Sequence, residues 1–405
     1  MSELSYLEKL LDGAEVEWLP LSSLCNLITT GKLNANAMED NGAYPFFTCN
    51  EEPYRINTYA FDLEAILISG NGSQVGHLNY YNGKFNAYQR TYILGGFNEN
   101  VDIMYLYYYL MHTLKPYIHK NSRKGSVPYI TMPMLENFKF PIPCPNNLEK
   151  SLAIQSEIVR ILDKFTALTA ELTAELTAEL TMRKKQYNYY RDQLLSFDNE
   201  DVPHLPMGQK DIGEFIRGGT FQKKDFMDAG VGCIHYGQIY TYYGTYTKKT
   251  KTHISAALAK KCKKAQKGNL IIATTSENDE DVCKAVAWLG SDDIAVSSDA
   301  CIYKHNLNPK YVSYYFQTEQ FQNQKRQYIT GAKVRRVNAD NLSKILIPVP
   351  SMAVQERIVS ILDKFDTLTN SITEGLPREI ELRQKQYEYY RDLLFSFPKP
   401  EAASN

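Results

Sequence analysis

Residues Ser151 to Phe197 read SLAIQSEIVRILDKFTALTAELTAELTAELTMRKKQYNYYRDQLLSF, and residues Ser351 to Phe397 read SMAVQERIVSILDKFDTLTNSITEGLPREIELRQKQYEYYRDLLFSF. The second stretch repeats the first. Ile161-Leu-Asp-Lys-Phe165 recurs as Ile361-Leu-Asp-Lys-Phe365 and Tyr189-Tyr-Arg-Asp192 as Tyr389-Tyr-Arg-Asp392, both at an offset of 200 (361 − 161; 389 − 189). Ile158, Ile161, Leu162, Phe165 and Leu168 have the spacing of an apolar helical stripe. Three tandem Thr-Ala-Glu-Leu units then occupy 169–180, placing Leu172, Leu176 and Leu180 four residues apart. Each unit turns the helix by about 400° and lengthens it by about 6 Å, so the stripe drifts by roughly 40° per unit. In a coiled coil such a stutter locally unwinds the supercoil. A unit can be gained or lost without breaking the helix, which is the property of an adjustable ruler. In the second copy Ile361, Leu362, Phe365 and Leu368 continue the stripe, and Ile372, Leu376 and Ile380 match the three leucines. Gly375 and Pro377 predict a weakened or kinked helix there. Two matching stripes predict pairing within the chain, antiparallel if the halves are related by a pseudo-two-fold axis. Ser151 and Ser351 are candidate N-caps, and Pro398 ends the second copy.

The duplication extends outward once gaps are allowed. Val16–Pro20 faces Val202–Pro206 at an offset of 186, and Leu27–Gly31 faces Phe215–Gly219 at 188. Ala65–Ser69 faces Asn269–Ala273 at 204, and Tyr107-Tyr108 faces Tyr314-Tyr315 at 207. Pro141–Pro145 faces Leu346–Pro350 at 205. Each half therefore has a globular part of short β-rich runs followed by a Tyr-rich helical pattern, then a helical spacer. Residues 7–24 resemble 194–210, the link into the second half. The C-terminal helix is therefore expected to end near the N-terminus.

The 405 residues include 43% apolar and 12% aromatic side chains, enough to bury real cores. The 45 basic and 46 acidic residues nearly cancel, so any nucleic-acid signal must be local. Seven scattered cysteines without a CxxC pair predict free thiols in a reducing cytoplasm. The N-terminus is too charged for a signal peptide, and no apolar run spans a membrane. Signatures of catalysis are missing: there is no GxxxxGK[ST], HExxH or GxSxG, and no amino-methyltransferase loop. Gly70–Gly76 reads as a turn, and Glu277–Asp281 as a solvated acidic loop. The expectation is no catalytic residue, no metal and no cofactor in this chain.

Local basic and aromatic clusters carry the binding signal. Arg and Lys suit phosphate anchoring, while Gln, Asn and Ser suit base edges. In the first half the candidates are Lys32, Asn34, Asn71, Ser73, Gln74, Lys84, Arg90, Lys120, Arg123 and Lys124. In the second they are Arg217, Thr220, Gln222, Lys223, Lys224, Tyr236, Gln238, Tyr240, Lys325, Arg326, Lys333, Arg335 and Arg336. The segments before Gly125 and around Gly331 are both basic, at matching places in the two halves.

The doubled Q-x-x-I-V-x-I-L-D-K-F helix, the IPxP run before it and the QYxYYRD end resemble the specificity subunit of type I restriction-modification systems. The Thr-Ala-Glu-Leu units point to its IC subfamily. The resemblance implies an α+β fold with two α/β target recognition domains in an inverted pseudo-two-fold arrangement, separated by two long antiparallel helices forming a coiled coil. It places recognition domain 1 at 1–150, a central conserved helical spacer at 151–200 and recognition domain 2 at 201–350. The distal spacer lies at 351–397 and a tail at 398–405. It further implies that each domain reads one half of a bipartite, asymmetric double-stranded DNA target. The helices would set the gap and dock two methyltransferase (HsdM) subunits, and two restriction (HsdR) subunits would join the full complex. S-adenosylmethionine would belong to the methyltransferase partner, and ATP and Mg to the restriction partner. A scaffold that joins partners through the helix pair without reading DNA is the alternative.

Overall fold

The computed structural model of the chain describes residues 6–121, 128–197, 201–371 and 374–398. They form two compact units, one comprising Met1–Thr173 with Leu382–Asn405 and the other Ala174–Glu381. Both cuts pass through the repeated helical stretches, so each unit holds one globular part and a piece of each repeat.

In chain order the first unit contains α1 (Tyr6–Leu11), β1 (Val16–Pro20), α2 (Leu21–Leu24), β2 (Cys25–Thr30), β3 (Tyr44–Phe47), β4 (Tyr54–Ile56), β5 (Phe61–Ser69), β6 (Leu78–Ala87), β7 (Thr91–Phe97), α3 (Ile103–Asn121), α4 (Met132–Glu136), β8 (Lys139–Pro143) and the start of α5 (Leu148–Ser196). The main sheet runs β2-β7-β5-β6-β3-β4, and β1 pairs with β8. Alternation along β5 sends Ile66 and Ile68 toward a core shared with Tyr105, Leu106 and Leu110 of α3. Ala65 and Leu67 face a second core with Phe47, Phe85 and Ile93. The core under α3 also takes Leu7 and Leu11, Ile154, Ile158 and Leu162, and Leu394, Phe395 and Phe397. Trp18 Nε1 donates to the Pro398 carbonyl at 2.9 Å. The last helix thus ends against the first strands, as the 7–24 resemblance predicts.

The second unit contains the rest of α5, then β9 (His204–Pro206), β10 (Gly213–Arg217), β11 (Val231–Ile234), α6 (Tyr236–Thr241), β12 (Tyr246–Thr247), β13 (Thr252–Ile254), α7 (Ala256–Ala259), β14 (Lys264–Ala265), β15 (Leu270–Ala273), β16 (Thr275–Ser276), β17 (Ala285–Trp288), β18 (Ile294–Val296), β19 (Ala300–His305), α8 (Pro309–Tyr315), α9 (Glu319–Arg326), β20 (Arg335–Arg336), α10 (Ala339–Leu342), β21 (Leu346–Pro348), α11 (Met352–Asn370) and the start of α12 (Gly375–Leu394). Its sheets run β10-β19-β15-β17-β12 and β13-β11-β18-β14, and β9 pairs with β21. Leu270 and Ile272 face Tyr311, Val312 and Tyr315 of α8, in a core that also takes Leu195, Phe197, Ile358 and Leu362. Ile271 and Ala273 face Ile234, Val286 and Val296. His204 Nε2 lies 3.2 Å from the Ser196 carbonyl, the place that Trp18 and Pro398 hold in the first unit.

α5 is one unbroken helix of 49 residues, roughly 70 Å long. It begins at Leu148 rather than at the predicted cap: Asn147 Oδ1 accepts from the Lys150 amide at 3.0 Å, while Ser151 Oγ accepts from Gln155 Nε2 within the helix. Ser351 does cap α11, accepting from Val354 N–H. The second copy is broken rather than kinked. α11 ends at Asn370, and α12 starts at Gly375 with φ +77°. A Cβ there would lie 2.6 Å from the carbonyl oxygens of Thr367 and Leu368. Pro377 falls in the first turn of α12, where its missing N–H costs nothing.

The helices pair antiparallel in each unit. In the first, Phe165 stacks on Tyr390 at 5.1 Å and Thr166 Oγ1 meets Tyr387 OH at 3.2 Å, in falling order along the partner. In the second, Tyr190 lies 5.8 Å from Phe365, and Tyr187 is near enough to Asp366 for the carboxylate to add to the burial that raises its phenol pKa. Leu162, Leu362 and Leu376 are buried; Ile161, Phe165, Leu172, Leu176, Leu180, Ile361, Phe365, Leu368 and Ile380 are half-buried. Leu168 departs from the predicted stripe and is 51% exposed, because the inward line passes from Phe165 through Thr169 to Leu172. Ile372 lies outside the described residues.

Candidate nucleic-acid interface

Two side chains of each spacer fasten it to its globular part. Gln155 Oε1 accepts from Asp102 N–H at 2.9 Å, and Gln355 Oε1 accepts from Asn308 N–H at 2.8 Å; both glutamines are buried. Asp163 accepts from Tyr108 OH at 2.5 Å. Asp363 accepts from Tyr314 OH at 2.7 Å and from Lys310 Nζ at 2.6 Å. These contacts shift the helix alignment: Tyr108 matches Tyr314 at an offset of 206 (314 − 108), one residue from the sequence match. Tyr105 and Tyr311 agree at the same offset (311 − 105), donating to the carbonyls of Pro141 and Pro348. Pro141 thus matches Pro348 at 207 (348 − 141), two residues from the sequence match of that strand.

The polar candidates concentrate at one end of each main sheet. In the first unit Gln89 N–H donates to the Leu33 carbonyl and Gly70 N–H to the Arg90 carbonyl, both at 2.9 Å. That brings the Lys32–Asn34 segment, Asn71 and Arg90 together beside a cleft of about 310 Å³ lined by Gly70, Gln89, Arg90, Tyr92 and Ile130. In the second unit Arg217 and Arg336 line a cleft of about 270 Å³ with Thr274, Thr275, Ser298, Asp299 and Asn338. Arg217 Nε donates to the Ser298 carbonyl at 3.2 Å, and Ser298 adjoins Ser297, whose Oγ accepts from Tyr236 N–H. Thr220 follows Gly219, which bridges to Ser297. Arg335 is held by Asp279, and its Nη1 donates to the Gly331 carbonyl at 2.5 Å. Its guanidinium, by hydrogen bond and charge, keeps the Asp279 carboxyl below its usual range.

Other candidates stand elsewhere. Lys325 is fully buried, and its Nζ donates to the carbonyls of Glu280 and Val282, so it holds the acidic loop from inside and is closed to a phosphate. Burial lowers its ammonium pKa. Gln238 is also buried; its Oε1 accepts from His235 N–H and its Nε2 donates to Thr252 Oγ1, a cap on α6 rather than a base-reading amide. Tyr240 OH is spent on the Thr275 carbonyl at 2.8 Å. Lys84 pairs in register with Asp62, seven residues back along β5 from Ser69 (69 − 62), and its Nζ sits over the Tyr59 ring. Ser73, Lys120, Gln222, Lys223, Lys224, Arg326 and Lys333 are exposed, and Gln74 is half-buried. Arg123 and Lys124 lie outside the described residues. Gln89, Tyr129, Ser298, Asp299 and Asn338 went unnoticed in the sequence. A repeat alignment in the register set by the sheets would have found them.

Among the described residues no group of His, Cys, Asp and Glu is arranged to hold a metal ion, and no helix is long and apolar enough to cross a membrane. All seven cysteines are free.

The family model for the type I restriction modification DNA specificity domain matches twice, over residues 14–182 and 206–382. Over 418 aligned residues the chain is 40% identical to the type I restriction enzyme EcoR124I/EcoR124II specificity subunit of Escherichia coli, covering 100% of each. It is 35% identical to the EcoprrI specificity subunit of Escherichia coli, covering 92% of this chain and 93% of that one. Among solved structures it is similar to a component of a type I R-M system studied for complex assembly (TM-score 0.66, 12% identity, 94% of this chain and 97% of that one). It also resembles the HsdS subunit from Thermoanaerobacter tengcongensis (TM-score 0.53, 13% identity, 94% and 95%). At those identities the structures speak to the fold alone.

Proposed function

Because the chain belongs to the family of type I restriction modification DNA specificity domains, we propose that it selects the DNA sequence on which a type I restriction-modification enzyme acts. One observation carries this: the chain holds two copies of one domain with a shared sheet order, β2-β7-β5-β6 and β10-β19-β15-β17, but unlike polar side chains at the strand ends. Two copies that read the same thing would have no reason to differ there. Each domain then reads one part of a bipartite double-stranded target by base-edge hydrogen bonds, with exposed Lys and Arg anchoring phosphates. The paired spacers set the gap and dock two methyltransferase subunits, which bring S-adenosylmethionine; two restriction subunits bring ATP and Mg. This chain contributes selection, and the chemistry belongs to its partners.

The test is methylated-motif mapping in a host that carries this chain and its methyltransferase. A bipartite motif with two fixed ends and an unread gap is expected. A complex that binds DNA without sequence preference would instead favour a scaffold joining partners through the helices. Methylation or cleavage by the purified chain alone would overturn the assignment of chemistry to the partners.

A further inference from the structure

The clefts at the two sheet ends have the same backbone frame. In the first unit Gly70 N–H donates to the Arg90 carbonyl, Ile130 N–H to the Gly70 carbonyl, and Gly31 N–H to the Thr91 carbonyl, at 2.9, 2.9 and 3.2 Å. In the second, Thr274 N–H donates to the Asp299 carbonyl, Val337 N–H to the Thr274 carbonyl, and Gly218 N–H to the Ala300 carbonyl, at 3.0, 3.1 and 3.0 Å. The frames superimpose Gly70 on Thr274 (274 − 70 = 204), Arg90 on Asp299 (299 − 90 = 209) and Ile130 on Val337 (337 − 130 = 207). The residue before Arg90, Gln89, then falls on Ser298, and the residue before Ile130, Tyr129, falls on Arg336. Thr131 and Asn338, one step further on, are each the N-cap of the next short helix.

Packing residues of these segments keep their character: Leu135 and Leu342 match at 207 (342 − 135), and both are fully buried. The side chains at the mouth do not. Gln89 and Arg90 line one cleft, with the 45%-exposed Tyr129 next in sequence to its lining residue Ile130, where Ser298, Asp299 and Arg336 line the other. Among the described residues no hydrogen bond or ion pair occupies the side chains of Gln89, Arg90 or Arg336, all of which are exposed. A shared frame with interchangeable polar side chains is what a reading position needs. Gln pairs with adenine edges, Arg with guanine, and Asp accepts from cytosine.

We propose that this cleft is the base-edge contact point of each domain, with Gln89 and Arg90 reading in the first and Arg217 and Arg336 in the second. The proposal rests on the reading of both globular parts as DNA-recognition domains. It is tested with the full chain in complex with its methyltransferase subunits, by motif mapping and salt-dependent DNA binding. Gln89→Ala with Arg90→Ala is expected to relax discrimination by roughly ten- to a hundredfold at one or two positions of one half-site, leaving the other half-site intact. Arg217→Ala with Arg336→Ala is expected to do the same to the other half-site only. All four side chains are exposed, so the cores are untouched. A uniform loss of affinity with a shallower salt dependence and an unchanged motif would make these residues phosphate anchors and overturn the proposal. An unchanged motif at unchanged affinity would overturn it as well. Either failure leaves the DNA-reading function standing, whereas a parent complex that shows no motif would remove that function itself.

Discussion

Gln355 shows how a single side chain can join a spacer helix to a domain. Its Oε1 takes the Asn308 amide at 2.8 Å, its Nε2 donates to the Pro350 carbonyl at 2.9 Å, and 2% of its surface is exposed. Gln355→Ala leaves a half-buried N–H and a buried carbonyl without partners, at a cost of about 1–3 kcal/mol; urea unfolding of the purified chain reads it. His305 makes a pH-dependent contribution. Its Nδ1 accepts from Leu307 N–H, its Nε2 is buried without a partner among the described residues, and burial holds its pKa at about 4 against an ordinary 6.5. Because the folded value is the lower one, the unfolded chain takes the proton first on acidification. The contribution is therefore complete above 6.5 and is lost as the pH falls through about 4. In His305→Asn the unfolding free energy is expected to vary less with pH over that window than in the parent; an equal slope in both would assign the acid sensitivity to other groups.

The helices were the most legible elements, because a period of 3.6 residues and a repeat at a constant offset of 200 leave few alternatives. Their ends and interruption were legible only in part. Pro377 announced an irregularity, but whether it kinked or broke the helix depended on Gly375, whose φ of +77° leaves no room for a Cβ beside the Thr367 and Leu368 carbonyls of the preceding helix. Gly375→Ala places a Cβ 2.6 Å from two carbonyl oxygens and adds the strain of a left-handed residue, so it is expected to destabilise the second unit by about 1–3 kcal/mol. Thermal unfolding checks this. The first copy has no such joint, so length changes in it are transmitted along an unbroken helix. Removing Thr177-Ala-Glu-Leu180 shortens the helix by about 6 Å and rotates its C-terminal remainder by about 40°. Motif mapping is expected to return both half-sites unchanged with a shorter gap; an unaltered gap would end the ruler reading. The binding residues were less legible than the helices. A charge in a row says nothing of burial, and Lys325, basic in sequence, proves to be an interior strut.

At the scale of the whole chain, the C-terminal residues close back onto the core of the first unit. Leu394, Phe395 and Phe397 complete a core built from α1, β5 and α3, as Leu195 and Phe197 do for the second core. This was foreshadowed by the likeness of 7–24 to 194–210. The sheet registers were not legible to the same degree, since the short strands of the two halves share pattern more than residues and a slip of one position costs little in similarity. The closure has a consequence for stability that runs against chain order. Phe397 is 4% exposed and packs edge-on to Tyr105 at 6.3 Å. Phe397→Ala removes a full ring from that core, at about 3–5 kcal/mol. The loss is expected in the unit that contains the N-terminus: hydrogen exchange should quicken in β5 and β7, some 300 residues upstream of the substitution (397 − 97), and stay slow in β15 and β19. Faster exchange confined to the last turns of α12 would mean that the C-terminal residues only cover the first domain, whereas the coupled response would show that they are part of its core.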